Sequence, residues 1–350
     1  VQDRVAEQVA EALMLKLTSE EQKLIRKHDT EDTEAFKAYL KGRHFWNKRT
    51  IDGLKKAIDY ANRAIDIDPT YAPAYVGLAD SYNLLAGHGG LSPKETFPKA
   101  RAAALRALEI DDNLAEAHNS LALVKFRFDW DYAGGEEEYK RAIEMKPDYA
   151  TAHHWYGECL AMLGRFDESI AELKTAMELD PLSLPINTDL GQSYFFARQY
   201  DRAIEQLKKA LDMDPNFIRA RVLLGAAYEQ KWMQREAVAE LRKASEMEAG
   251  TNTLALSGLG HAYAVNGQRE EARQVLAEMK GLSTRRYVSA YGFAIVHAGL
   301  GERIEALEWL QKSYESKCVW MVWLKVNPRF DGLRAEPLFQ ELLRKLGLVT

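Results

Sequence analysis

Apolar residues recur at a helical spacing along most of the chain. In residues 150–279 they stand three and four positions apart, which places them on one face of successive short helices. A proline, or a substitute for it, follows helix ends at a regular set of positions, namely residues 69, 112, 147, 181, 215 and 249. The last three intervals between these positions are 34 residues each. The pattern predicts repeated helical hairpins and requires no β-strand.

Residues 150–181 show one copy of this pattern most clearly. Gly157 lies in the first predicted helix, where a small residue lets a neighbouring helix approach closely. Gly164 is expected to end that helix, and the acidic residues after it favour the start of a second one. Because a single hairpin cannot bury its apolar face alone, the copies must stack on one another.

This pattern resembles the tetratricopeptide repeat (TPR). The resemblance implies an all-α fold, a right-handed superhelical solenoid of about eight helix-turn-helix repeats with capping helices at both ends. We expect an N-terminal helical segment at residues 1–34, the TPR solenoid at residues 35–316 and a C-terminal capping segment at residues 317–350.

The flanks of the array are similar to the TPR region of large bacterial regulatory proteins. Residues 1–17, 39–43 and 325–330 carry this second resemblance. In that group a winged-helix DNA-binding, protein-kinase or adenylyl-cyclase domain precedes the array, and none of these domains is found in the 350 residues. The resemblance implies the sensory or assembly arm of a larger regulator. Because the chain begins inside a helical pattern, we expect a fragment of a longer protein.

The composition narrows the function classes. With 47% hydrophobic and 28% charged residues and a net charge of −5, the chain has the composition of a soluble, folded protein. It lacks the positive surplus of a direct nucleic-acid binder, and no apolar run approaches the roughly 20 residues of a membrane span. Two cysteines, Cys159 and Cys318, suggest neither a disulfide framework nor a zinc knuckle. The sequence leaves a cytoplasmic and a periplasmic location open.

No catalytic signature is present, so the sequence predicts neither an enzyme nor a bound cofactor. The motifs of zinc proteases, serine hydrolases and P-loop proteins are absent. His154 and Glu158 stand one helical turn apart, but a metal site usually needs three or four protein ligands. We therefore expect His153 to fill a packing position and His154 to face solvent. Basic pairs such as Lys48 and Arg49 are interpreted as solvated faces or turns.

Binding is expected in a groove lined by the first helix of each copy. Each first helix packs against its neighbours through one stripe of apolar residues. The positions on the opposite face point into the concave side of the curved stack. In the fourth to sixth copies they predict a ligand-binding groove formed by His154, Trp155, Glu158, Gln192, Phe195, Phe196 and Arg219. Carboxylates, amides and aromatic rings favour a protein or peptide ligand with apolar anchors and a positive charge. The alternative is that the aromatic rings pack between copies.

A second function class also remains. Residues 319–324 are dense in large apolar side chains, and exposure of this segment would favour end-to-end self-association into an oligomer or fibre. If another part of the chain covers the segment, the binding scaffold is favoured instead.

Overall fold

The chain was analysed in a computed structural model. The described residues are 30, 32–87, 91–247 and 252–349. Most of the predicted N-terminal helical segment and the predicted turn at residue 249 lie outside the described residues. The described part forms eight antiparallel helix pairs, and each pair contacts the next along the chain.

Seventeen α-helices are found in the described ranges. The first helices of the eight pairs are α1 (Thr33–Asn47), α3 (Ala72–Gly87), α5 (Ala115–Val124), α7 (Ala150–Leu163), α9 (Leu184–Phe196), α11 (Ile218–Gln230), α13 (Thr253–Val265) and α15 (Ala290–Gly299). The second helices are α2 (Ile51–Ile67), α4 (Pro93–Ile110), α6 (Tyr132–Met145), α8 (Phe166–Leu179), α10 (Tyr200–Met213), α12 (Gln234–Glu246), α14 (Arg269–Ser283) and α16 (Arg303–Glu315). Helix α17 (Pro337–Lys345) follows the pairs. The described residues contain no strand, and the predicted all-α repeat solenoid is confirmed.

In seven of the eight pairs, the turn has a left-handed residue two positions before the second helix begins. In the α7–α8 turn this residue is Gly164, with a φ of 83°. Glycine takes this conformation without steric cost, whereas residues with a Cβ are strained in it. Four other turns nevertheless use a larger residue at the equivalent position: Arg49 (φ 53°), Trp130 (φ 63°), Arg198 (φ 63°) and Trp232 (φ 59°).

Glycine also allows the two helices of a pair to pack closely. A Cβ added to the central glycine of three first helices would lie under 3 Å from the Cγ of a leucine on the second helix. The distances are 2.8 Å between Gly157 and Leu173, 2.7 Å between Gly191 and Leu207, and 2.6 Å between Gly225 and Leu241. The repeat pattern therefore has a direct steric cause.

After α16 the chain leaves the stack and returns to its inner side. Residues 319–333, which we call the inner segment, form two 3-10 turns at Val319–Trp323 and Pro328–Leu333. Trp323 stacks on Phe196 of α9 with ring centroids 4.4 Å apart. The inner segment also contacts α3 and α7, while α17 contacts α16. The first 3-10 turn thus packs inside the solenoid, and α17 covers the last pair.

Residues 319–324 are therefore not an open apolar end. All of them except Trp320 are buried, and Trp320 is half-buried. The apolar segment whose exposure would favour end-to-end self-association is thus covered by other parts of the same chain. None of the helices in the described part is both long and apolar enough to span a bilayer.

Candidate binding site on the inner surface

The first helices of the pairs form a curved inner surface. Its curvature brings distant repeats together, since the ring centroids of Trp46 on α1 and Trp155 on α7 lie 6.4 Å apart. Arg219 on α11 likewise contacts Glu158 on α7 at 3.1 Å. Many buried polar side chains belong to these helices: Asp80, Asn83, Asn119, His154, Glu158, Thr188, Asp189, Gln192 and Glu229. We refer to this face as the inner surface.

The three aromatic residues predicted in the groove are buried in the hydrophobic core. Trp155 packs beside Trp46, and Phe195 meets Phe196 edge to face with centroids 5.1 Å apart. The ring of Phe196 is covered by Trp323 of the inner segment. A ligand that enters the groove therefore does not meet these rings directly unless the inner segment moves.

His154 lies at the inner surface and does not face solvent, so that expectation is wrong. Its Nε2 atom lies 2.7 Å from Oδ2 of Asp189, and both side chains are buried. His153 is bound between Glu172 and the Pro147 carbonyl at 2.6 and 2.9 Å. Both histidines thus have hydrogen-bond partners within the chain. The part of the chain that the structure describes contains no group of three or more side chains that could hold a metal ion.

The predicted polar residues join one hydrogen-bonded network. Arg219 donates to Gln192 Oε1 at 2.8 Å and pairs with Asp189 Oδ1 at 2.7 Å and Glu158 Oε1 at 3.1 Å. Arg127 donates to the other oxygen of Glu158. Burial raises the pKa of Asp189, but Arg219 and His154 outweigh burial and hold it below its usual value. Because these carboxylates already have cationic partners within the chain, there is no longer a reason to expect a positively charged group on the ligand.

A second network ties the inner segment to α11. Glu229 accepts from Arg329 of the segment at 3.3 Å, and its other oxygen lies 2.9 Å from Nδ1 of His261. Burial raises the pKa of Glu229, but His261 and Arg329 outweigh burial and hold the pKa at about 2. Arg198 and Asp331 pair at 2.9 Å nearby. We call this part of the inner surface, with Phe196 and Glu229, the covered section.

A different part of the inner surface remains accessible, and we call it the open section. It contains Arg43, Arg49, Asp80, Glu116 and Arg219. The side chains of Arg43, Glu116 and Arg219 are 26%, 25% and 27% exposed, so part of each remains accessible to solvent. Burial raises the pKa of Asp80, although Arg43 opposes this from 3.0 Å.

Sequence reasoning missed several charged residues of the inner surface. Asp189 and Arg127 complete the network around Glu158, and Arg329 reaches Glu229 from 100 positions away. Arg49 was interpreted as part of a solvated face or a turn. It does lie in a turn, but it is half-buried, and its guanidinium carbon lies 3.6 Å from the ring centre of Trp46. The place of Asp189 on the inner face of its helix could have been predicted from its position within the repeat. The remaining contacts depend on the curvature of the stack.

Comparisons with known proteins agree with the repeat architecture. Two family models described as tetratricopeptide repeat match residues 148–216 and 188–245. The transcriptional regulator HilA of Salmonella typhimurium is 28% identical over 143 residues, which cover 41% of this chain and 26% of HilA. The chain thus matches about a quarter of the length of these curated relatives.

Similar solved structures extend the comparison over more of the chain. The APC/C hetero-tetramer Cut9-Hcn1 has a TM-score of 0.59 at 16% identity and covers 84% of this chain and 52% of its own. Pseudomonas aeruginosa pilF has a TM-score of 0.47 at 22% identity and covers 62% of this chain and 94% of its own. At such identity, the similarity to Cut9-Hcn1 shows the fold alone. The matching repeat models and the eight helix pairs together show that the chain contains tetratricopeptide repeats.

Proposed function

We propose that the chain binds a protein or peptide partner at its inner surface, as the sensory or assembly arm of a larger bacterial regulator. TPR arrays are scaffolds for protein–protein interaction, and the partial similarity to the transcriptional regulator HilA supports the regulatory context. The observation that carries the proposal is the convergence of charged side chains from several repeats at the open section. Such an arrangement suits recognition of a polar ligand more than a purely structural role.

The partner contacts the polar residues of the predicted groove rather than its aromatic residues. Arg219 is held directly by Glu158 and Gln192, and through Asp189 by His154. The partly exposed side chain of Arg219 lies in the open section. Trp155, Phe195 and Phe196 support these residues from the core. Because ion pairs already fix the polar side chains, little side-chain entropy is lost when a partner binds.

A peptide selection tests the inner-surface site. Short random peptides are selected on the wild-type chain, and their affinities are compared for Arg219→Gln and Glu116→Gln. We expect each change to weaken the selected peptides by about tenfold or more, as loss of a charge-assisted contact does. Arg141→Gln removes an exposed arginine from α6 and is the matched control. Equal affinities for all three variants, with folding retained, would rule out the site.

The regulatory part of the proposal needs a separate readout. Chromosomal Arg219→Gln and Arg141→Gln strains are compared for genome-wide transcript levels. We expect altered transcripts in the Arg219→Gln strain and none in the control strain. Identical profiles at equal protein abundance would argue against a regulatory arm while leaving partner binding to be judged by the affinities above.

A further inference from the structure

Two tryptophans occupy the same left-handed turn position in different pairs, but only one of them is covered. Trp130 (φ 63°) in the α5–α6 turn stacks on Tyr314 with ring centroids 5.0 Å apart, and Nζ of Lys317 lies 3.5 Å from its ring centre. Trp232 (φ 59°) in the α11–α12 turn is 83% exposed, and its ring has no aromatic or cationic contact within the described ranges. The chain thus covers one of these rings with its own residues and leaves the other in solvent.

Stability alone does not account for a tryptophan at position 232. The seventh and eighth pairs have Gly267 and Gly301 at the equivalent position, and glycine adopts this conformation without steric cost. Trp232 costs free energy through its backbone and gains little from burial, because most of its side chain contacts water. Tryptophan is, in contrast, among the residues that contribute most to binding when a partner buries them. Trp232 therefore has the properties of an interface residue.

Trp232 is not the only exposed apolar residue on its edge of the stack. Val265, which ends α13, is 38% exposed, and Ile304, in the first turn of α16, is 71% exposed. The three residues lie at the turns within the sixth, seventh and eighth pairs, which are consecutive and in contact. They form a row along the edge at the ends of the helices, and we call this row the turn ridge. Exposed apolar groups that lie side by side mark interaction surfaces.

The charged residues beside the turn ridge are mixed in sign. The first turn of each second helix carries an exposed arginine and an exposed glutamate, namely Arg235 with Glu236, Arg269 with Glu270, and Arg303 with Glu305. Such a mixture does not suit nucleic acid or an anionic membrane, because both require clustered positive charge. It does suit a surface with the same mixture, since the arginines of one copy can face the glutamates of another.

We propose that the turn ridge joins two copies of this chain edge to edge in a closed dimer. Val265 belongs to the middle pair, so a twofold axis near Val265 places Trp232 of each copy against Ile304 of the other. This isologous contact uses the same patch on both copies and ends at two, unlike end-to-end stacking. Because the ridge is short, we expect a weak dimer with a Kd of about 10–100 μM that is monomeric at about 1 μM. The contact lies outside the inner surface and does not depend on the function proposed there.

Sedimentation velocity tests for the dimer with the full chain at concentrations from about 1 to about 200 μM. We expect the average mass to rise reversibly with concentration towards that of a dimer. Trp232→Gly and Ile304→Asp should each raise the Kd by at least about tenfold, because each removes an apolar contact at both ends of the twofold interface. Leu182→Asp is the matched control and should leave the Kd unchanged, since Leu182 is 80% exposed on the opposite edge, between α8 and α9.

Disulfide crosslinking tests the twofold arrangement. Val265→Cys places a thiol near the axis, so mild oxidation at about 100 μM should give a covalent dimer on a non-reducing gel. Leu182→Cys is the control and should remain uncrosslinked, and the native thiols of Cys159 and Cys318 are both buried.

Four results would overturn the proposal. The first two are a wild-type chain that stays monomeric up to about 200 μM and one that assembles beyond a dimer. The third is an unchanged Kd in folded Trp232→Gly and Ile304→Asp. The fourth is crosslinking of Val265→Cys that is no more efficient than that of Leu182→Cys.

Discussion

The covered and open sections of the inner surface are built from the same kind of helix but differ in how their buried groups are satisfied. In the covered section, Trp323 stacks on Phe196, and Arg329 with His261 neutralises Glu229. In the open section, Arg49 has no carboxylate partner in the described ranges. The comparison teaches that the chain satisfies one part of the inner surface with its own C-terminal residues, whereas the described residues leave the other part accessible.

The difference has an energetic consequence. Well-packed rings and a neutralised buried carboxylate stabilise the folded chain, and removing one partner leaves a cavity or an unpaired charge. In the open section, the left-handed backbone of Arg49 costs free energy instead, and no carboxylate of the described ranges forms an ion pair with its guanidinium. Substitutions in the two sections should therefore differ in sign as well as in size.

The largest effect is expected for Trp323→Ala. This side chain is 2% exposed and stacks on Phe196, so its loss should lower the free energy of unfolding by about 3–5 kcal/mol. Trp232→Ala is the matched control, because Trp232 is 83% exposed and its loss should change stability by about 0.5 kcal/mol or less. Urea unfolding followed by circular dichroism measures both. Equal losses would mean that the inner segment does not stabilise the covered section.

Acid should destabilise the chain through Glu229. Its pKa of about 2 lies below the unfolded value of about 4.3, so the folded state binds fewer protons. The stability that Glu229 contributes is complete above about pH 4.3 and is lost as the pH falls through about 2, by up to about 3 kcal/mol. Unfolding free energies at about pH 7 and about pH 3 should therefore differ less in Glu229→Gln than in the wild type.

Asp80 in the open section provides a control of opposite sign. Burial raises its pKa, so protonation on acidification favours the folded state and offsets part of the acid loss. Asp80→Asn removes this offset, and its acid loss should exceed that of the wild type in the same measurement. An acid loss reduced in both variants would contradict the proposed difference between the sections.

The fold was predictable from the sequence because each repeat solves the same local packing problem. The 34-residue spacing and Gly157 already define a hairpin whose two helices approach closely, and Gly157 does lie against Leu173. The candidate site was predictable only as a set of helical faces. Pairing between Arg219 and Glu158 needs the curvature of the stack, and the pair between Arg198 and Asp331 needs a chain reversal that no local pattern encodes.

A packing change within one pair should have an intermediate effect. Gly157→Leu places a side chain where even a Cβ would lie 2.8 Å from Leu173, so we expect a loss of about 1–3 kcal/mol. Gly164→Ala meets no atom closer than 3.8 Å and is strained only by its φ of 83°, which should cost about 1 kcal/mol. Matched urea unfolding curves in the reverse order would contradict the steric explanation of the repeat glycines.

The smallest effect compares the two left-handed arginines, one from each section. Arg49→Gly and Arg198→Gly relieve a similar backbone strain, because the φ angles are 53° and 63°, so the difference between the variants reports their side-chain interactions. Arg198→Gly also loses the pair with Asp331, a partly exposed contact worth about 0–1 kcal/mol. Arg49→Gly loses a stacking contact of about 0.5–1 kcal/mol but also removes repulsion from Arg43 and Arg219.

Arg49→Gly should therefore be the more stable variant by about 0.5 kcal/mol in thermal unfolding. Equal thermal stabilities of the two variants, or a more stable Arg198→Gly, would contradict this difference between the two sections.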